Sequence, residues 1–197
     1  MTRRVDQWVP ALHLGDAIGD STILMRAALR SWGYVSDIYT YNQDPGTSAV
    51  PFDQWREGNA DDVVIFHYAL ISSMNDAFVR LASKRVLQYH NVTPPHFFAS
   101  WDKEIHQLLS RGLQGLAPLA PSTTLALGDS DFNRAELERR GFARTGVFPI
   151  PVDFDRYLRP PANPILKKRL ADSRTNLLFV GRIVPNKRHD NLLRVLA

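Results

Sequence analysis

Short apolar runs alternate with helix-like segments along most of this chain, and this alternation constrains its fold more than any other feature. The first run of strand type covers residues 8–14, and the apolar positions after it keep helical spacing until Gly33 ends them. Successive parallel strands require crossover connections, which are usually helices. The sequence therefore predicts an α/β protein with a doubly wound parallel sheet of Rossmann type. Further strands are predicted at 35–41, 63–66, 85–89, 124–127 and 145–150.

The helices between these strands are predicted from apolar periodicity and from residues that favour helix ends. Asp20 or Ser21 is predicted to cap the first helix. Ser130 is predicted to cap a helix over 131–140 that Gly141 ends in a left-handed conformation. Residues 42–59 contain prolines and glycines and are expected to form a loop. The remaining helices are predicted at 74–81 and at 97–116, the second with its apolar face on the sheet.

The composition fits a globular protein and excludes several chemistries. Hydrophobic residues make up 44% of the chain and charged residues 22%, which excludes extended disorder. There is no cysteine, so disulfides, iron–sulfur clusters and cysteine-ligated zinc are excluded. We find no secretory leader and no apolar stretch of about 18 residues, which favours a cytoplasmic protein. The formal net charge of +4 suits phosphates, anionic sugars or acidic lipids, so peripheral contact with the inner face of a membrane is a second expectation.

Prolines mark a domain boundary near residue 150. Five of them lie between Pro149 and Pro164, a density that neither a helix interior nor a central strand tolerates. The residues after this boundary are too few to cover a sheet on both faces, so the chain is expected to be a fragment that ends inside a second α/β domain. The predicted divisions are a Rossmann-like domain at 1–150, a proline-rich linker at 151–164 and the start of the second domain at 165–197, with helices at 165–171 and 191–197 and a buried strand at 177–180.

Polar residues come after four of the predicted strands of the first domain. In a doubly wound sheet, ligands bind beyond the carboxyl ends of the strands, where loops converge and helix N-termini point outward. A sheet that needed only stability would have no reason to place imidazoles at two adjacent strand ends, so we expect a binding site at this edge. Its candidate residues are Gly15, Asp16, Gly19, Asp20, His67, His90, Asn91 and Asp129.

The glycine loop and the two histidines each have a functional and a structural interpretation. Gly15 and Gly19 let backbone approach a ligand and precede a helix N-terminus, which favours an anion, but a plain strand-to-helix turn also needs glycine. His90 precedes a proline-rich stretch that keeps the loop extended, so its imidazole is a candidate for contacts with hydroxyls or phosphates. The structural alternative is a histidine that ties the loop to the backbone. The case for His67 is weaker than that for His90, because His67 ends an apolar run and has the alternative of a satisfied core histidine.

No metal site is expected. Asp129 and Asp131 form one Asp-x-Asp pair, and Asp153 and Asp155 form another, a spacing that can hold a cation on a diphosphate. The first pair is better explained by helix capping, and the second lies in the proline-rich connection. No histidine spacing in the chain matches a zinc site.

The most specific stretch is Val-Gly-Arg-Ile-Val-Pro-Asn-Lys-Arg at 180–188. It places Arg182 and Lys187 on one loop between a predicted strand and a predicted helix. A guanidinium, an ammonium and a helix N-terminus together can hold a diphosphate. The alternative is a solvated basic turn. Spacing favours the diphosphate site.

With this stretch the chain resembles a family 4 glycosyltransferase of the GT-B fold. The resemblance implies that Arg182 and Lys187 contact the donor diphosphate at the start of the nucleotide-sugar-binding domain. Four less specific segments resemble the same family and follow one another in the order found there. They are the glycine loop at 15–20, the active-site histidine segment Tyr-His-Asn-Val-Thr-Pro at 89–94, Asn-Arg-Ala-Glu-Leu at 133–137 and Pro-Val-Asp at 151–153.

The resemblance implies a transferase that retains anomeric configuration and needs no metal or other cofactor. Its substrates would be a nucleotide-diphosphate sugar as donor and a saccharide or lipid-linked acceptor. Arg182 and Lys187 would stabilise the leaving diphosphate, and His90 would be the catalytic residue that orients acceptor or donor hydroxyls. The family's Glu-x7-Glu signature belongs beyond residue 197, so this polypeptide alone is expected to be inactive.

Two other classes of function stay open. A saccharide- or anion-binding domain without chemistry would use the same strand edge. A Rossmann-type oxidoreductase or epimerase would need Gly-x-Gly-x-x-Gly after the first strand, which Gly15 and Gly19 fit poorly. A nucleic-acid partner is not expected, because arginines and lysines are scattered and no interleaved aromatic platform is evident.

Overall fold

The computed structural model describes residues 3–158, 163–171 and 173–196, and the chain divides into two compact units, Met1–Val152 and Asp153–Ala197. No helix in these described ranges has the length and apolarity needed to cross a membrane. The strands are β1 Val5–Trp8, β2 Ala11–Leu12, β3 Ile38–Thr40, β4 Asn42–Gln43, β5 Val50–Pro51, β6 Val63–Tyr68, β7 Lys84–Tyr89, β8 Leu125–Gly128 and β9 Thr145–Val147. The helices are α1 Ala17–Ser31, α2 Met74–Val79, α3 Lys103–Gln114, α4 Asp131–Arg139, α5 Phe154–Tyr157, α6 Pro164–Arg169 and α7 His189–Leu196.

Seven parallel strands form the sheet of the first unit, which confirms the predicted fold class. Their order is β5-β3-β1-β6-β7-β8-β9, and β2 pairs with β4 in a separate parallel ribbon. The chain builds outward from β1 to β5 on one side and from β6 to β9 on the other. The order therefore reverses between β1 and β6, and this topological switch point is where doubly wound sheets form their ligand crevice.

A large part of the hydrophobic core lies on one face of this sheet. Phe66 on β6 and Leu87 on β7 are neighbours in register, and both are fully buried. The rings of Phe66 and of Phe78 in α2 pack against each other with their centroids 5.4 Å apart. The ring centroid of Trp8 in β1 lies 6.4 Å from that of Phe78. Because strand side chains alternate between faces, the residues next to these point the other way. That second face carries the polar side chains of the candidate site.

Helix α1 packs on the second face, and its start differs from the prediction. It begins at Ala17 with Asp16 at the N-cap, one turn before the caps predicted at Asp20 and Ser21. Gly19 explains the difference, because a Cβ there would overlap the backbone of His13, and its absence lets the first turn form against the preceding loop. Gly33 has a φ of +85° and ends the helix region as predicted.

Several other elements also differ from the sequence predictions. The first strand, predicted from Trp8, begins at Val5, and β9 ends at Val147 rather than at residue 150. The region predicted as one helix over 97–116 is broken: a 3₁₀ turn covers Pro95–Phe98, and α3 begins only after Asp102, whose carboxylate accepts from two amides of the first turn. Residues 42–59 are not all loop, since β4, β5 and a 3₁₀ turn at Phe52–Gln54 lie there. Residues 177–180 were predicted to be a buried strand, but they are exposed and form none.

The missing strand has a physical reason. A strand needs a neighbour for its backbone hydrogen bonds, and the described part of the second unit contains none. The helix predicted at 165–171 is present as α6, with Asn163 as its N-cap. The helix predicted at 191–197 is present as α7, although Ala197 lies outside the described residues. Pro160 and Pro161 of the predicted linker also lie outside the described residues.

Candidate functional site

A continuous chain of hydrogen bonds crosses the second face of the sheet at the topological switch point. His67 Nε2 lies 3.0 Å from Gln7 Oε1, so β6 and β1 are joined directly. His67 Nδ1 lies 2.8 Å from His90 Nε2, and His90 Nδ1 lies 3.1 Å from Asp129 Oδ2. We call these four residues, Gln7, His67, His90 and Asp129, the polar relay. They bring together the three strand ends that the sequence marked with His67, His90 and Asp129.

Strand geometry places each member of the polar relay. His67 is the penultimate residue of β6, so it lies inside the sheet rather than after the strand. His90 comes directly after β7, and its amide donates to the carbonyl oxygen of Tyr68 at 2.9 Å, which extends the ladder by one residue. Asp129 comes after β8, where a Cβ at Gly128 would meet the amide nitrogen of Arg134 at 2.6 Å. Glycine at that position therefore allows α4 to start close behind Asp129.

The loop after His90 is held by the neighbouring tyrosine. The Tyr89 hydroxyl accepts from the amide of Val92 at 3.0 Å and donates to Glu136 Oε2 at 2.8 Å. Burial raises the pKa of Tyr89, so its hydroxyl keeps the proton that it donates. Asn91 turns the chain with a φ of +67°, a conformation that asparagine tolerates better than most residues. The residue is exposed directly after His90 in the chain.

The two histidines of the relay are buried and differ in their surroundings. Burial lowers the pKa of His67 well below its ordinary value, and the neighbouring His90 lowers it further. His67 is therefore a neutral imidazole at physiological pH. The His90 side chain is 2% exposed, and both of its ring nitrogens contact protein atoms. Asp129 is 16% exposed, so its carboxylate is the part of the relay that reaches solvent.

The relay is anchored at both ends by glutamine. At one end, Gln7 Nε2 donates to the carbonyl oxygen of Thr22 in α1 at 3.1 Å. At the other, Gln88 Nε2 donates to Asp129 Oδ1 at 2.7 Å and to the carbonyl oxygen of Phe148 at 3.0 Å. Both glutamines are buried. The network thus connects the helix after the glycine loop with the segment after β9.

The glycine loop forms a tight turn into α1. Gly15 has a φ of +77°, and its amide donates to Asp20 Oδ1 at 2.9 Å. Gly19 is buried against the backbone of His13. Asp16 is exposed at the N-cap, where its side chain caps no amide. All four predicted loop residues therefore shape one turn, and the bond from Gln7 to the carbonyl oxygen of Thr22 ties the helix after this turn to the relay.

A second histidine–aspartate pair holds the other side of the glycine loop. His13 Nδ1 lies 2.9 Å from Asp44 Oδ1, and Asp44 Oδ2 accepts from the amide of Leu14 at 2.9 Å. The hydrogen bond from His13, followed by that from Leu14, lowers the pKa of Asp44. Both side chains of the pair are exposed, at 47% and 38%. This pair fixes the loop on the surface, whereas the polar relay lies inside.

The predicted diphosphate residues lie in the second unit. A 3₁₀ turn covers Pro185–Lys187, and Arg188 comes next with a φ of +49° and pairs with Asp190. Arg182 and Lys187 are not buried, and neither forms an ion pair within the described ranges. The same ranges contain no group of three or more histidine and acidic side chains that could hold a metal ion.

Sequence reasoning missed Gln7, Gln88 and His13. The first strand was predicted to start at Trp8, which left Gln7 outside it. A polar residue in a buried parallel strand is unusual, and Gln7 and Gln88 carry that signal once the strand bounds are known. His13 pairs with a residue 31 positions away, and no local pattern indicates such a pair.

No protein-family model matches the chain, and no curated protein matches it either.

Proposed function

We propose that this chain is part of a retaining glycosyltransferase, similar to family 4 of the GT-B fold, that uses a nucleotide-diphosphate sugar and a saccharide or lipid-linked acceptor. The observation that carries the proposal is the polar relay at the switch point of a parallel sheet, beside a glycine turn. A carboxylate is suited to sugar hydroxyls because it accepts hydrogen bonds from them in fixed directions, and an imidazole beside it can hold its orientation. The resemblance of residues 180–188 to the donor-binding loop of that family supports the same conclusion.

The candidate residues of each unit would have a separate task in that reaction. Asp129 and the backbone around Asn91 and Gly15 would bind hydroxyls of the sugar or acceptor. Arg182 and Lys187 would bind the diphosphate of the donor and stabilise its charge as it leaves. His90 would act in the same reaction through the carboxylate that it contacts.

Calorimetric titration of the 197-residue chain with UDP, GDP and NAD tests the class of ligand. The proposal expects a nucleoside diphosphate to bind and NAD not to bind. Arg182→Ala and Lys187→Ala should each weaken binding of the diphosphate about tenfold, or about 1.4 kcal/mol. Lys168→Ala is the matched control, since it removes one exposed positive charge from α6 of the same unit. Equal losses in all three variants, or binding of NAD alone, would contradict the proposal.

A binding domain without chemistry is the second candidate, and one observation favours it. Both ring nitrogens of His90 contact protein atoms and its side chain is 2% exposed, so the ring has no nitrogen free to act as a base. Binding of UDP-glucose, compared with binding of glucose alone, separates the two candidates, because this polypeptide by itself is not expected to transfer sugar. The transferase predicts that Arg182→Ala weakens binding of UDP-glucose, whereas the binding domain predicts saturable binding of the saccharide that Arg182→Ala does not change.

A further inference from the structure

The direction of every hydrogen bond in the polar relay depends on its two ends. A backbone carbonyl oxygen can only accept, so the group of Gln7 that faces Thr22 is its amide nitrogen. Gln7 therefore presents its oxygen to His67, and His67 Nε2 must carry the proton of that bond. The same reasoning fixes the orientation of the Gln88 amide group, because its nitrogen faces the carbonyl oxygen of Phe148. That nitrogen also donates to Asp129.

The central bond follows from the positions of the two rings. His67 is 1% exposed and its ring contacts Gln7 and His90 but no carboxylate, whereas the His90 ring contacts Asp129, so His67 is the neutral ring of the two. A neutral imidazole has one protonated nitrogen, and in His67 that nitrogen is Nε2. Its Nδ1 is therefore an acceptor, and the nitrogen that faces it at 2.8 Å, His90 Nε2, must be the donor. One proton of His90 is thus assigned.

The last bond requires one more proton. His90 Nδ1 and Asp129 Oδ2 are 3.1 Å apart, and without a proton between them both would be acceptors. Asp129 Oδ1 already accepts from Gln88, and an imidazole is ordinarily a stronger base than a carboxylate, so the proton of this bond lies on the ring. The titratable groups in hydrogen-bond contact with His90 are His67 and Asp129. With His67 neutral, the additional proton lies on His90.

We infer that Gln7 is a positioning residue that keeps His90 protonated on both nitrogens and Asp129 ionised. Gln7 acts through His67, which it holds in one tautomer. The product of this arrangement is a net-neutral pair whose carboxylate is partly exposed at the strand edge. Asp129 is then the acceptor that meets a ligand hydroxyl, and the His90 ring orients it from behind. Only the sugar identity of that hydroxyl rests on the proposed function.

A change of Gln7 to leucine removes the constraint on His67. Its Nε2 loses its acceptor, so the tautomer with the proton on Nδ1 becomes the one that makes more hydrogen bonds. His67 would then donate to His90 Nε2, and His90 would need only the proton that it shares with Asp129. The variant should therefore hold one proton fewer than the parent chain.

Long-range ¹H–¹⁵N correlation spectra of the imidazoles at about pH 7.5, well above the ordinary histidine pKa, test this inference without any ligand. In the parent chain, His90 should show two protonated nitrogens and His67 only Nε2–H. In Gln7→Leu, His90 Nε2 should lose its proton and His67 should switch to Nδ1–H. Gln43→Leu is the matched control, because it removes the amide of a glutamine on β4 whose hydrogen bonds go to Thr47 and Ala49 and not to the relay. His90 should stay doubly protonated there.

Each outcome supports or overturns the inference. A singly protonated His90, or an Nδ1–H tautomer of His67, in the parent chain overturns it even if Gln7→Leu does not fold. The same change in Gln7→Leu and Gln43→Leu assigns the effect to packing and also overturns it. If the spectra agree with the inference and neither UDP nor GDP binds, the proposed function fails while the proton arrangement stands.

Discussion

The chain uses the same pair of side chains, a histidine and an aspartate, in two different environments. His13 and Asp44 meet on the surface beside the glycine loop, while His90 and Asp129 meet at the carboxyl edge of the sheet with the ring almost fully buried. Their separations are similar, at 2.9 and 3.1 Å. Water and salt compete for the exposed pair, whereas each member of the buried pair has a further protein partner. Burial and continued hydrogen bonding, rather than distance, distinguish the two pairs.

The largest difference should appear when each aspartate is removed. Asp129→Ala leaves the buried His90 without its carboxylate, and we expect the free energy of unfolding to fall by about 3 kcal/mol, as when one partner of a buried ion pair is lost. Asp44→Ala should leave the denaturation midpoint within experimental error. Urea denaturation followed by tryptophan fluorescence measures both. Equal losses in the two variants would show that burial does not distinguish the pairs.

The next effect concerns acid stability. Burial lowers the pKa of His67, so the folded chain takes up this proton at lower pH than the unfolded chain, whose histidines titrate near about pH 6.5. The contribution of His67 is therefore complete above about pH 6.5 and declines as the pH falls below it.

His67→Gln removes this titration and keeps a donor and an acceptor at the site. Between about pH 6.5 and pH 5 the free energy of unfolding of the variant should fall less steeply with decreasing pH than that of the parent chain. The difference between the two slopes should be up to about 1.4 kcal/mol per pH unit. Parallel stability curves for the parent and the variant would mean that His67 is already charged in the folded protein.

A smaller and local effect is expected at the exposed pair. Asp44 accepts from the amide of Leu14, so Asp44→Ala should speed hydrogen exchange at Leu14 several-fold. Exchange at His90, whose amide donates to Tyr68, should not change. Faster exchange at both amides would indicate that the glycine loop and the relay open together.

Salt should give the smallest effect. At about 1 M sodium chloride the Debye length is about 3 Å, so only the exposed pair should weaken. We expect roughly a twofold rise in the exchange rate of Leu14 and none at His90. An equal response at the two amides would indicate that solvent reaches the buried pair.

The sequence predicted the sheet well because alternation of strands and helices is a local pattern. It also marked His67, His90 and Asp129, since each stands at or near the end of an apolar run. It did not reveal Gln7, because the predicted strand started too late to include it. It also did not reveal the pair of His13 and Asp44, whose members lie 31 residues apart in the chain. The predicted strand at 177–180 shows the opposite error: apolar composition alone indicated a strand that has no neighbour among the described residues of its unit.

The central claim is that the four residues of the polar relay act as one unit, and a double-mutant cycle between its ends tests it most directly. Gln7 and Asp129 are joined through His67 and His90, which lie between them. The free energies of unfolding of Gln7→Leu, Asp129→Ala and the double variant should differ from additivity by about 1 kcal/mol. The same cycle between Gln7 and Asp44 should be additive. Additive effects of Gln7 and Asp129 would contradict the account.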